Sequence, residues 1–141
     1  MHDRVILRVG AKMLIPSILL FALYVQFHGD FGPGGGFQAG VIFAVGFVLY
    51  GLIFGLDMVK AAMPMSVAVT CAACGVLLYA GVGVVSLFKG ANFLDYSVLR
   101  HDPLHGQHLG ILLVELGVLI TVFGVMLAVF YAFAGRKGLR E

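Results

Sequence analysis

Between Lys60 and Lys89 the chain carries no charged residue. The part of that stretch from Val67 to Leu87 has the ~20 predominantly apolar residues that a helix needs to cross the hydrocarbon of a bilayer. A helix also satisfies its backbone N–H and C=O groups internally, as lipid demands. Three further apolar runs flank it, at about residues 5–27, 37–56 and 107–133. The fold expected from them is an all-α integral membrane protein. It is a single membrane domain over residues 1–141, with four transmembrane helices, a glycine-rich first loop and a longer polar third loop. Composition agrees: 61% of residues are hydrophobic and 11% charged, where a soluble domain carries about 25% charged.

Charge placement sets the expected orientation. Arg4, Arg8, Lys12, Lys60, Arg136, Lys137 and Arg140 fall on one side of a four-helix arrangement, and only Lys89 and Arg100 on the other. Positive residues stay on the cytoplasmic side, so both termini are expected there in a multi-pass protein of the cell membrane. The balance of Lys and Arg over Asp and Glu is too slight for a nucleic-acid partner. Lys12 and Arg8 can snorkel along the cytoplasmic edge, and Pro16 is expected to kink the first helix or end an interfacial first turn. No small-residue cleavage site follows the first run, which is therefore expected to be retained.

The first loop contains Gly32-Pro33-Gly34-Gly35-Gly36-Phe37-Gln38-Ala39-Gly40. Glycine disfavours helix by about 1 kcal/mol per residue relative to alanine, and Pro33 has no N–H to donate. The segment also lacks Lys, Arg and Ser, unlike a solvated linker. Two readings follow. It is a tight helix–helix turn, or an apolar break that packs backbone against a neighbour or exposes carbonyls to an ion path. Elsewhere Gly51 and Gly55 form a Gly-x-x-x-Gly, and Gly106, Gly110, Gly117 and Gly124 recur along the last helix. Small residues at such spacings let membrane helices approach closely. Gly81 and Gly83 in the third helix either loosen it or accommodate a neighbour.

The polar candidates gather on one half of the membrane: His28, Asp30, His101, Asp102, His105, His108 and Glu115. A carboxyl within a transmembrane helix is expensive and faces protein or water. Glu115 is therefore a candidate for proton or cation handling, with a structural hydrogen bond or ion pair as the alternative. His101, His105 and His108 have the spacing of one helical face, but Asp102-Pro103 puts His101 outside the helix. Proton buffering at the interface suits these histidines better than a metal site. Cys71 and Cys74 form a Cys-x-x-Cys in apolar surroundings and read as packing residues. No metal, no cofactor and no enzyme active site is expected, because no phosphate-binding loop and no nucleophile paired with a base is present.

The run from Gly29 to Gly40 resembles the glycine-rich signature of the MnhB/MrpB family. The stretches His105-Gly106-Gln107-His108-Leu109-Gly110-Ile111 and Val114-Glu115-Leu116-Gly117-Val118 are similar to that family's last helix. The resemblance implies a small subunit, of the MnhB/MrpB type, in the Mrp-type (Mnh/Sha/Pha) multisubunit Na+/H+ antiporters of bacterial membranes. Its partners would be large antiporter-like subunits and other small subunits, its ions Na+ or K+ and H+. By carry-over Pro33, Gly34, Gly35, Gly36 and Phe37 match the signature and Glu115 the acidic position. Other roles the resemblance leaves open are a purely structural scaffold in that complex, or the equivalent subunit of a membrane-bound hydrogenase or complex I-like assembly. Four glycine-faced helices hold too few intramembrane charges for a complete exchange path, which is a reason of its own to expect partners.

Overall fold

A computed structural model describes residues 2–29 and 32–136, the side chains of 2–4 excepted. Asp30, Lys137 and Arg140 lie outside the described residues. The chain forms α1 (His2–His28), α2 (Gly36–Phe54), α3 (Leu56–Ala62), α4 (Met65–Phe88), a 3₁₀ turn (Tyr96–Leu99) and α5 (Pro103–Gly135). Among the described residues there is no strand. Four of the helices, α1, α2, α4 and α5, are long and apolar enough to cross a membrane. At 1.5 Å per residue the 19 residues of α2 just match ~30 Å of hydrocarbon.

Helix boundaries follow local chemistry. α1 runs unbroken through Pro16, so Pro16 does not end an initial interfacial turn. Ser17 Oγ donates to the Met13 carbonyl at 3.1 Å beside it. α2 stops at Phe54, short of the expected Leu56, because Gly55 takes φ 107° while its N–H still bonds the Gly51 carbonyl. Leu56 instead opens the short α3. α5 starts earlier than expected, at Pro103. Asp102 caps it, accepting from Leu104 N at 3.1 Å, and proline suits the first helical position, where the N–H is unpaired anyway. The 33 residues of α5 exceed what an untilted helix needs to cross the hydrocarbon, and its first turns are the polar ones, with His105, Gln107 and His108.

α5 is central: it packs against α4 on one side and α2 on the other, while α1 lies mainly on α2. Close approach of α4 and α5 depends on facing glycines. A Cβ on Gly117 would stand 2.8 Å from the Gly75 carbonyl oxygen, and one on Gly75 2.5 Å from that of Gly117. Gly124 meets the Ala68 carbonyl and Ala72 in the same seam, where Thr121 Oγ1 donates to the Ala72 carbonyl at 3.3 Å. One buried cluster joins Ala44, Val59, Ala68, Phe123, Leu127 and Tyr131, with Phe43 edge-on to Phe123 at 5.2 Å. The Tyr131 hydroxyl donates to the Met63 carbonyl at 2.6 Å, with that of Val59 at 3.3 Å, tying α3 to the end of α5. A second cluster, Val25, Ala39 and Leu119, marks where α1, α2 and α5 meet.

The polar third loop is folded back onto α4 and α5. Phe93 fills the space a side chain on Gly83 would occupy, whereas Gly81 faces open space. Asp95 caps the 3₁₀ turn through Ser97 N and Oγ, and Lys89 Nζ donates to the Val98 carbonyl at 2.8 Å. Leu94 takes φ 63° to make this reversal, a left-handed conformation uncommon outside glycine.

Candidate functional site

The glycine loop and the intramembrane carboxyl meet. α1 ends at His28, whose ring stacks on Tyr24 at 5.0 Å, and Gly29 follows in a turn. A Cβ on Gly29 would stand 3.2 Å from Glu115 Oε2 and 3.3 Å from Oε1, and one on Gly35 3.3 Å from Oε1. A Cβ on Gly36 would collide with the backbone carbonyl of Glu115. The side chains these glycines lack thus define the space Glu115 occupies. Gly34 is held from the other side, 2.7 Å from its Cβ position to the Val25 carbonyl oxygen.

This geometry has an electrostatic sense. Gly35, at φ 135°, precedes α2 and provides no side-chain cap. The first N–H groups of a helix have no intrahelical partner and form the positive end of its dipole. Ala39 N is the first to find one, bonding the Gly35 carbonyl at 3.0 Å. The half-buried Glu115 carboxyl sits beside this end, where a negative charge gains typically 0.3–1 kcal/mol, up to ~2 in partly buried settings.

Pro33 and Phe37 are exposed. They line the mouth of an apolar groove between α1 and α2 with Phe21, Val25, Gln38, Val41 and Ile42. Of the three histidines in this stretch, His105 and His108 share α5 while His101 does not. His101 lies in the loop, and His105 Nδ1 contacts Asp102 Oδ2 at 2.6 Å, both side chains being exposed. These hydrogen bonds, from His105 and then from Leu104 N, hold the Asp102 carboxyl below the usual carboxylate range. His108 is exposed on α5, about two turns before Glu115. Among the described residues no three His, Cys, Asp or Glu side chains converge as a metal site would require.

The glycines named for packing divide by role. Gly51 lies against Val59 and Phe130, Gly106 against the Tyr96 carbonyl, and Gly110 against the Tyr96 ring. Among the described residues nothing lies within 4 Å of a Cβ on Gly55, and its positive φ ends α2. Two residues have a place that the sequence reading did not find. Gly29, named there only as the start of the glycine-rich run, borders the carboxyl. Gln26, in α1, is 2% exposed, and neither its Oε1 nor its Nε2 has a hydrogen-bond partner among the described residues. Its signal was an amide within an apolar span, one helical turn before Gly29. An unsatisfied buried polar group costs about 1–3 kcal/mol.

Four spanning helices, with a half-buried carboxyl clasped by a glycine loop, define a multi-pass α-helical membrane protein. The chain belongs to the family described as a domain related to the MnhB subunit of Na+/H+ antiporter, whose profile matches residues 6–128. Among its relatives, a Staphylococcus haemolyticus protein provisionally named antiporter subunit mnhB2 is 37% identical over 122 residues, covering 79% of this chain and 86% of its own. A Staphylococcus aureus protein with the same provisional name is 34% identical over 107 residues, covering 75% of each chain.

Proposed function

We propose that this chain is the small, MnhB-type membrane subunit of a multisubunit monovalent cation/proton antiporter, and that Glu115 with its glycine clasp contributes to the proton or cation path. Family membership supports the subunit assignment. The observation that carries the site is the carboxyl of Glu115 against Gly29 and Gly35 at the start of α2. A charge-bearing group is placed at a break between two spanning helices, where backbone dipoles can follow a change in its charge. The partners are the large antiporter-like subunits and other small subunits. The ions are H+ and Na+ or K+, and the setting is the bacterial cell membrane with both termini cytoplasmic. The role is transport rather than catalysis.

A scaffold role has support in the same place, since the Gly36 contact is with the Glu115 backbone and survives any change of its side chain. The two roles separate in one experiment. Glu115→Gln keeps size and hydrogen bonding but cannot titrate, so the complex should assemble while pH-gradient-coupled Na+ or K+ flux in vesicles falls sharply. Glu115→Asp should retain part of the flux. Full flux through an intact Glu115→Gln complex would leave Glu115 a structural residue.

A further inference from the structure

Gln26 has no place in the packing described so far. It shares the inward face of α1 with Ala11, Ala22 and Val25, all buried. Three residues later, in the turn just past the end of α1, comes Gly29, whose Cβ position is 3.2 Å from the Glu115 carboxyl. Val25, its neighbour in the chain, belongs to the cluster where α1, α2 and α5 meet. A buried amide offers two donors and two acceptor lone pairs. At this junction a leucine would satisfy the packing without any polar requirement.

We infer that Gln26 is a positioning residue for Glu115, holding a buried water molecule that hydrogen-bonds both the Gln26 amide and the Glu115 carboxyl. The inference rests on the reading of Glu115 as an ion-handling group. Polar partners for such a water are at hand: the amide, the Glu115 carboxyl beside Gly29, and the Val25 carbonyl beside Gly34. Internal waters typically make about three hydrogen bonds to buried polar groups of this kind. The glycines at 29, 34, 35 and 36 bring no side chains of their own into this junction. A neutral amide cannot carry a proton itself. Its task is to orient the water through which the carboxyl gains or loses one, and thereby to fix the direction the carboxyl faces.

The test uses the assembled complex purified from its host membrane. The infrared bands of Glu115 are obtained as the difference between native complex and Glu115→Gln, then compared in Gln26→Leu and Gln26→Asn, with flux measured in parallel. Gln26→Leu should displace the Glu115 bands and lower exchange about tenfold, the factor carried by one hydrogen bond to a charged group. Gln26→Asn, which keeps the amide one methylene short, should recover part of both. An unchanged Glu115 band and unchanged flux in Gln26→Leu would overturn the inference and mark Gln26 as a dry packing residue. Should Gln26→Leu fail to assemble, Gln26→Asn decides, and an undisplaced Glu115 band there overturns it equally. Failure of the Glu115 reading is distinct, because it appears as full flux in Glu115→Gln whatever the Gln26 variants do.

Discussion

Gly36 carries the strictest demand in the loop, since an alanine methyl there would fall on the Glu115 carbonyl and close to Val118 Cβ, at 3.0 Å. Helix backbone cannot give as a flexible side chain does, so α2 and α5 would have to separate. Overpacking of this kind costs about 1–3 kcal/mol. Gly35→Ala would be strained for another reason, its φ of 135°, which lies in a region essentially reserved for glycine. Gly32 differs from both, because its Cβ would rest at 3.5 Å from the His28 ring, an ordinary contact. The expected outcome is graded. Gly36→Ala should lose complex or flux, whereas Gly32→Ala should retain both, as judged by subunit content and vesicle transport. Equal tolerance at the two positions would mean that the loop is only a turn. The need for glycine in this run was legible in the sequence, as was the oddity of a carboxyl in the last span. That the two touch was not. Their meeting depends on how α5 is rotated against α2, which is set by side chains remote in the chain, such as Val25, Ala39 and Leu119.

At the scale of elements, α5 shows how capping and packing share the definition of one helix. Its start is fixed by Asp102, whose carboxyl accepts from Leu104 N and contacts His105, and both interactions hold its pKa below the usual range. A carboxyl lowered on folding stabilises the folded state fully above its ordinary pKa. That contribution fades as the pH falls through the lowered value. Asp102→Ala should therefore speed amide hydrogen exchange in the first turn of α5 near neutral pH. The difference from the native chain should vanish under strongly acid conditions, and a difference that persists there would mean that the cap acts through something other than charge. The sequence marked this boundary with Asp-Pro, yet the helix was expected to begin later, because its first turns are polar and hydropathy alone reports only the apolar part. The end of α2 was misplaced for the opposite reason. Gly55 sits in a continuous apolar run, and only its backbone conformation distinguishes a terminator from a packing glycine.

Over the molecule as a whole the buried core is thin, with twelve hydrophobic residues buried among the described residues and large apolar side chains exposed along every spanning helix. In water such a surface would aggregate. In a bilayer it faces lipid and whatever subunits pack beside it. Orientation is the property that folding of the isolated chain does not fix, and it rests on the distribution of Lys and Arg. Single cysteines at His2, Lys60 and Arg100, in a background lacking Cys71 and Cys74, provide the check. An impermeant thiol reagent applied to intact cells should reach the one at Arg100 and spare the other two. Labelling at His2 together with Arg100, with Lys60 spared, would mean that the first helix does not span. The span count was readable from apolar runs alone, because lipid constrains length and hydropathy more tightly than it constrains sequence.

The clasp around Glu115 also imposes an order in time. Gly29, Gly35 and Gly36 leave the ribosome well before Glu115 does, so the first two spans enter the bilayer with a notch and nothing to fill it. The last helix arrives as the latch, its carbonyl seating against Gly36 and its carboxyl between Gly29 and Gly35. A chain interrupted before residue 115 would still hold three apolar helices, but with the notch open and the α2 start lacking the carboxyl beside it.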